Sequence, residues 1–582
     1  MILQALSEYY ERKRSVKGSE IAAEGWEWKE LPFIIVLDGK GKFIQIEDTR
    51  EENGKVRRGK RFLVPLGVKR TSGVAADLLW GSAEYIFGIG KKGSEKRTSF
   101  LDRLKAELDG IEIVECVIDF VENLPKDKLS RDKNWEEISE TNPFLSFRIV
   151  SDRTLVCNRP EVDKKLSSSN GGGSTEAICL VTGEKTRIKE LHKAIKGVRG
   201  VQSSGGNIIS YNHNAFESYN KKRGYNAPVS DKAEFAYTTA LNTLLDRDSS
   251  QRMLIGDTTA VFWSRKQTSF EKDFSQFFEN PESDDPNDGA EKVRALFESV
   301  KTGAYVEDDV NTPFYVLGLA PNVARISVRF WQSGTVAEFS KRIKQYFDDF
   351  AIIKPPNRPE FYSIRSILVS VSPQNKIENI SPGVAGELMY AIMTGTPYPT
   401  TLFQAAIRRI RSDAKERVNP ERAAAIKAYI NRYYRFYTGK NTKEISMSLD
   451  LSQPSKGYHL GRLFATLEKI QEEANRNLNA TIRERFYGAA CSSPVTVFSN
   501  LLRLKNYHLA KLENRGRAVQ FEQLLTEIMN KLTDFPSYLD LHEQGRFAIG
   551  YYHQRQEFYN KREKVEIELE SKNGNNERSE NV

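Results

Sequence analysis

The chain opens on helical periodicity. In MILQALSEYYERKR (1–14) apolar side chains recur at helical spacing with charges between them. The period then shortens to two. LPFIIVLD (31–38) and KFIQIED (42–48) read as strands joined by a hairpin turn at Asp38-Gly39-Lys40-Gly41. RFLVPLG (61–67) predicts another strand, held to a sheet edge because Pro65 donates no ladder hydrogen bond. Residues 74–86 and 98–108 read as helices, and GIEIVECVIDF (110–120) is an apolar, β-branched run. FLSFRIV (144–150) and RTLVCN (153–158) predict a second hairpin. SSSNGGGS (167–174) reads as a flexible loop, and AICLVTGE (177–184) as a strand entering a turn. The stretch 205–230 is rich in Gly and Asn and has little periodicity. DKAEFAYTTALNTLLDR (231–247) is a helix; TTAVFWSR (258–265) and ARISVRFW (324–331) are strands.

Near Ser381 the β-branched runs thin out and the 3.6-residue period takes over. Helices are predicted at 383–395, 401–413, 419–436, 458–475, 518–532 and 542–564, with Asn419-Pro420 as N-cap and first helical residue. The expected fold class is therefore α+β. A mixed α/β N-terminal domain with short antiparallel sheets spans 1–375, an all-α C-terminal helical bundle spans 376–562, and an acidic, polar, disordered tail spans 563–582.

Composition narrows the class. Of 582 residues, 39% are apolar and 28% charged, which excludes a collagen, a wholly disordered chain and a polytopic membrane protein. No window approaches 18 uninterrupted apolar residues, and the N-terminal run lacks a signal-peptide core, so a cytoplasmic protein with no membrane association is expected. Cys116, Cys157, Cys179 and Cys491 are scattered without a CxxC and read as reduced thiols, with no metal site.

The net charge of +9 conceals its own distribution. Lys55, Arg57, Arg58, Lys60, Arg61, Lys69 and Arg70 fall within sixteen residues that hold no acid, and Lys91, Lys92, Lys96 and Arg97 follow. Between 401 and 440, ten basic residues face only Asp413, Glu416 and Glu421, with Tyr429, Tyr433, Tyr434, Phe436 and Tyr437 interleaved. That mixture suits phosphates and stacked bases, although several of the aromatics sit at core spacing. Acids gather in ENPESDDPNDGAE (279–291) and EKVEIELE (563–570).

Catalytic signatures are missing. There is no P-loop, HExxH or GxSxG motif, and six widely spaced histidines offer little acid–base material. Gly88-Ile89-Gly90-Lys91-Lys92-Gly93 has the letters of a dinucleotide motif but no suitable preceding strand, so it reads as a glycine-rich connection. A binding protein without enzymatic activity or cofactor is expected.

Several segments together carry a family resemblance. KRTSGVAADLLWGSAEYIFGIG (69–90), CLVTGE (179–184), the long block SYNHNAFESYNKKRGYNAPVSDKAEFAYTTALNTLL (210–245), GDTTAVFW (256–263) and SPGVAGELMYAIMTG (381–395) occur in order over nearly the whole chain. They resemble the large subunit of the subtype I-C CRISPR Cascade. The resemblance implies a non-catalytic subunit that binds the 5′ handle of the crRNA and reads the protospacer-adjacent motif (PAM) on double-stranded DNA. Such a subunit nucleates R-loop formation and helps recruit a helicase-nuclease. The implied partners are crRNA, target duplex, the backbone and crRNA-processing subunits, small subunits translated internally from the same gene, and the helicase-nuclease effector. Met447 is the candidate internal start.

On that resemblance, Lys69, Arg70, Thr71, Ser72, Gly73 and Val74 are the expected PAM readers. They offer cations for phosphates, hydroxyls for minor-groove acceptors, and a Gly before an exposed helix N-terminus. Arg58, Lys60, Lys91 and Lys92 are expected to support them on DNA. Asn207, Tyr211, Asn212, Asn214, Lys221, Lys222, Arg223 and Asn226 are expected to hold the crRNA handle or form a second DNA-facing loop, where Tyr219 and Tyr225 can also stack. Arg408, Arg409, Arg411, Arg432 and Arg435 are expected to touch the target or displaced strand. The competing readings are a metal-dependent nuclease with dispersed carboxylates and an RNA-binding scaffold outside CRISPR.

Overall fold

A computed structural model describes residues 1–16, 21–53, 56–68, 73–168, 176–255, 257–278, 290–302, 309, 311–323, 325–381, 383–413, 416–439, 445–475 and 480–559. Lys69, Arg70, Thr71 and Ser72, most of the 167–174 loop, nearly all of the acidic 279–291 segment and the tail from 563 lie outside the described residues. The fold is α+β. Packing divides the chain into two compact units. One is Met1–Lys196 with Gln202–Thr243, and the other is Gly197–Val201 with Leu244–Val582.

The first unit is built on a four-stranded sheet. Strand Phe33–Leu37 forms the expected hairpin with Phe43–Asp48, and Phe144–Ile149 lies parallel on its other side, followed by Trp80–Ser82. All five residues of Phe33–Leu37 are buried, which explains its unbroken apolar run. The hairpin expected between 144–150 and 153–158 does not form. Leu155, Val156 and Cys157 enter the core, Val156–Asn158 forms a 3₁₀ turn, and Asn158 Nδ2 donates to the Leu63 carbonyl at 2.9 Å. Among the described residues, strand Arg61–Pro65 pairs only with Trp26–Glu30, so Pro65 does stand on an edge strand.

Two segments of this unit depart from their pattern. The β-branched run 110–120 folds as helix Glu112–Glu122, because Val114, Val117, Phe120 and Val121 repeat at helical spacing and all enter the core. Glu112 and Glu115 occupy its first turn, where the helix dipole favours carboxylates. Residues 74–86 are not one helix. They run irregularly to strand Trp80–Ser82, and a short helix Ala83–Phe87 ends at left-handed Gly88 (φ +73°).

The second unit starts from an antiparallel sheet ordered Arg252–Ile255, Thr258–Ser264, Pro313–Asn322 and Arg325–Thr335. Phe262, Phe314, Val316 and Phe330 enter one continuous core with Phe339, Leu388, Ile430, Phe464, Phe547 and Tyr551 from the helices that follow. The compositional change near Ser381 and the expected boundary at 375/376 both fall inside this unit, whereas packing divides the chain at 243/244. Asn419 caps helix Pro420–Thr438 as expected, accepting from Arg422 N at 2.9 Å. The bundle also holds Ile482–Ser492 and Val495–Ala510, whose apolar spacing is too broken to announce them.

Helix Lys456–Ala474 and the final helix, 541–559, pack backbone to backbone. A Cβ added at Gly461 would stand 2.0 Å from the Phe547 carbonyl oxygen, and one at Gly550 would stand 2.0 Å from that of Tyr458. Polar pairs lock the seam. Tyr458 Oη meets His553 Nδ1 at 2.9 Å, Arg462 Nε donates to Gln554 at 3.0 Å, and Tyr551 donates to Glu468 at 2.6 Å. No helix among the described residues is long and apolar enough to cross a membrane. The four cysteines are free and buried.

Candidate nucleic-acid interface

The block 205–230 forms an irregular surface loop of the first unit, closed by local hydrogen bonds. Asn226 is its hub. Its Oδ1 accepts from Ser218 N at 3.0 Å, and its Nδ2 donates to the carbonyls of Lys221 at 2.8 Å and Arg223 at 3.0 Å. Gly224 is pressed against the backbone of Lys189 and Glu190, where a Cβ would lie 2.4 Å from the Lys189 oxygen. The clasp forces Tyr219, Asn220 and Arg223 to φ of +52°, +57° and +47°. Left-handed backbone at three non-glycine residues is unfavourable, and such conformations concentrate at functional sites.

Among these side chains, Tyr219 stands out at 96% exposed. Asn212, Asn214, Lys221 and Lys222 are exposed beside it in the chain, while Tyr211 and Tyr225 are half-buried. Phe216, also exposed, meets His213 edge to face at 5.8 Å. Two of the sequence-derived residues serve the fold instead: Asn226 as the clasp, and Asn207, whose Nδ2 donates to the His192 carbonyl at 3.0 Å. Arg223 is paired with Glu190 at 2.7 Å. The arrangement offers one open aromatic face with two neighbouring ammonium groups, suited to a stacked base and its phosphates.

Of the expected PAM readers, Lys69, Arg70, Thr71 and Ser72 lie outside the described residues. Gly73 is exposed with φ +85°, and half-buried Val74 lines a shallow surface groove with Ser94, Thr98 and Arg103. The expected helix N-terminus just after Gly73 is absent. Arg103 Nη1 donates to the Ala76 carbonyl at 2.5 Å and holds this segment in non-helical form. On the near side of the loop, Gly67 N donates to Glu27 at 3.0 Å and Val68 N to Asp77 at 2.9 Å. Arg58 sits in the hairpin of Glu51–Asn53 and Val56–Arg58, opposite Glu51, and Lys60 is exposed. Lys91 and Lys92 are exposed in the Gly88–Gly93 connection, which joins two helices and follows no strand.

The C-terminal arginines divide. Arg408 and Arg411 are exposed; Arg411 donates to Gln544, and Arg409 pairs with Asp413 at 2.9 Å. Arg432, only 4% exposed, and Arg435 both grip buried Asp349, at 3.2 and 2.6 Å. Arg432 also lies over the Tyr398 ring at 4.2 Å. Arg432 is therefore a core residue, and its expected contact with a nucleic-acid strand is corrected. Arg417, Arg422 and Lys427 of the same basic run are buried too. Tyr429 is core, stacked on Phe403 at 4.4 Å, whereas Phe436 and Tyr437 are exposed.

Among the described residues, no group of three or more His, Cys, Asp and Glu side chains is placed to hold a metal ion.

Residues 6–559 match a family model described as CRISPR-associated protein (Cas_Csd1). An α+β chain that presents this loop is thus a CRISPR-associated protein, of the general class of Cascade large subunits. More narrowly, the chain belongs to the Cas_Csd1 family. No curated protein matches it.

Proposed function

We propose that the chain is the large subunit of a subtype I-C Cascade, that it binds crRNA and reads the PAM on target duplex, and that it does so without catalysis. The observation that carries the reading is the clasped loop with Tyr219 open to solvent beside Lys221 and Lys222. It supports a contact with exposed nucleotides, either the crRNA handle or DNA next to the PAM. The segment 69–74 remains the proposed PAM reader, with the bracing of Gly67 and Val68 holding its near end. R-loop nucleation and recruitment of a helicase-nuclease complete the role, and the site of action is the cytoplasm. The proposed partners are the backbone, crRNA-processing and small subunits.

The test is reconstitution with crRNA and target duplexes that differ only in the flanking trinucleotide. Affinity should depend on that flank, and indifference to it sinks PAM reading. Tyr219→Ala should weaken binding roughly tenfold or more, as one lost stack does, with unchanged thermal stability. Homogeneous protein that cuts DNA with Mg²⁺ or Mn²⁺ would restore the nuclease reading. For the small subunit, silent changes to the ribosome-binding sequence upstream of Met447 should abolish a C-terminal product; its persistence rules that start out.

A further inference from the structure

Helix Val495–Ala510 lies in a stretch of chain without acids. From Arg485 to Leu512 there are four cations, Arg485, Arg503, Lys505 and Lys511, and no Asp or Glu. Arg503, Leu504, Tyr507 and Lys511 recur at helical spacing along one face. All four are exposed, Leu504 at 37% and Tyr507 at 59%. Arg503 donates to the neutral Asn500 at 3.0 Å, and the Lys511 ammonium lies 4.4 Å from the Tyr507 ring centroid. Among the described residues, no carboxylate pairs with Arg503, Lys505 or Lys511. The acids of the neighbouring helix Lys456–Ala474 are engaged with other cations: Glu468 and Glu472 with Arg555 at 3.6 and 2.8 Å, and Glu473 with Arg517 at 2.9 Å. The next acid in the chain, Glu513, lies beyond the helix. The helix dipole accounts for a cation at its C-terminal end, Lys511, but not for Arg503 two turns earlier.

The final helix, 541–559, ends at the same end of the bundle. Arg555 reaches Glu472, and Phe558 packs on Phe521 at 6.3 Å. One turn on, Asn475 Nδ2 meets His508 Nδ1 at 3.3 Å, which ties that end to the last turn of Val495–Ala510. The chain continues from there as residues 560–582, outside the described residues. Within them, Val565-Glu566-Ile567-Glu568-Leu569-Glu570 alternates apolar and acidic residues and holds no cation. Lys561, Arg562 and Lys564 precede it in the five residues that link it to the helix. Fully extended, those five span about 16 Å, against about 10 Å for the diameter of a helix.

We propose that the exposed face of helix Val495–Ala510 is a docking surface for the chain's own segment 565–570. Glu566, Glu568 and Glu570 complement Arg503 and Lys511, and the apolar residues between them match Leu504 and Tyr507. Exposed ion pairs are individually weak. The tether offsets this, since a short linker holds the segment at an effective concentration of the order of millimolar. A contact too weak to persist between separate chains is then occupied within one. The inference goes beyond the proposed function: an occupied face is closed to any other polyanion.

Disulfide trapping in the full chain tests it. The four native cysteines are buried, so introduced surface thiols dominate the reaction. Leu504→Cys is combined with Leu569→Cys. The control combines Tyr538→Cys with Leu569→Cys; Tyr538 is 67% exposed and lies toward the other end of helix Val495–Ala510, where Val495 N donates to the Pro536 carbonyl at 3.2 Å. The first pair should oxidise faster than the control. Adding Arg503→Glu and Lys511→Glu should slow it roughly tenfold, the order of a few exposed ion pairs, and leave the control unchanged. Adding Glu566→Lys, Glu568→Lys and Glu570→Lys as well should restore the rate. A rate indifferent to the first charge reversal, or not restored by the second, would overturn the site. If reversal leaves trapping unchanged but weakens binding of an oligothymidylate, the face belongs to a single strand and the tail site falls.

Discussion

Arg432 shows how a side chain's environment decides its role. Its guanidinium and that of Arg435 share Asp349, which also accepts from Tyr398 at 3.1 Å and Gln345 at 2.9 Å. Removing Arg432 takes one charged donor from buried Asp349 and leaves it Arg435 alone as counter-charge, so Arg432→Ala should lower unfolding free energy by about 1.5–3 kcal/mol. Denaturant melts would detect this. Weaker nucleic-acid binding at unchanged stability would instead return Arg432 to the surface role that its sequence neighbours suggest. His553 gives a pH signature. Burial, assisted by Lys427, lowers its pKa from 6.5 to about 3, so the folded chain keeps it neutral while the unfolded chain protonates it. The stability it supports is complete above pH 6.5 and falls by about 1.4 kcal/mol per pH unit as pH drops toward 3. His553→Gln should flatten that slope in a pH series of melts. Neither role is legible from residue type. Arginine in a basic run looks solvated, and what overrides that is an aspartate 83 positions away, Asp349, which local pattern cannot bring near.

At the scale of elements, the helix seam sets two glycines against each other. Gly461→Ala gains helix propensity of about 1 kcal/mol, but its Cβ would meet the Phe547 carbonyl at 2.0 Å, so net destabilisation by about 2 kcal/mol is expected. Gly488, inside helix Ile482–Ser492, has nothing within 4 Å of an added Cβ. Gly488→Ala should therefore stabilise by up to about 1 kcal/mol. Thermal melts of the two variants should move in opposite directions, and equal shifts would refute the close packing. The long C-terminal helices were readable because their apolar stripes are sustained and Asn419-Pro420 marks a start. Residues 110–120 carry both β-branching and helical spacing, and the spacing prevails, whereas 144–150 misled because its partner, Phe33–Leu37, is a parallel strand about a hundred residues earlier. In the candidate site, the exposed lysines and Tyr219 were visible as residue types. The clasp at Asn226 and the strained backbone it imposes were not, since they depend on which of several asparagines turns inward.

The whole molecule carries +9, but a nucleic acid does not meet all of its cations. Arg417, Arg422, Lys427, Arg432 and Arg462 are buried in the second unit. That unit also shares one core between its first strands and its last helix. Truncation after residue 540 removes Phe547, Ile549, Tyr551 and Tyr552 from that core, while the core of the first unit uses none of them. Limited proteolysis should then digest the second unit rapidly and leave the first resistant; equal resistance of both would contradict the shared core. The same feature governs synthesis. Chain growth at about 5–20 residues per second leaves roughly 15–60 s between the emergence of the strands near Met253 and of the helix that completes their shared core. Through that interval the core that begins at Phe262 lacks the helix that completes it, so the nascent chain, more than the finished protein, is the form that needs a chaperone.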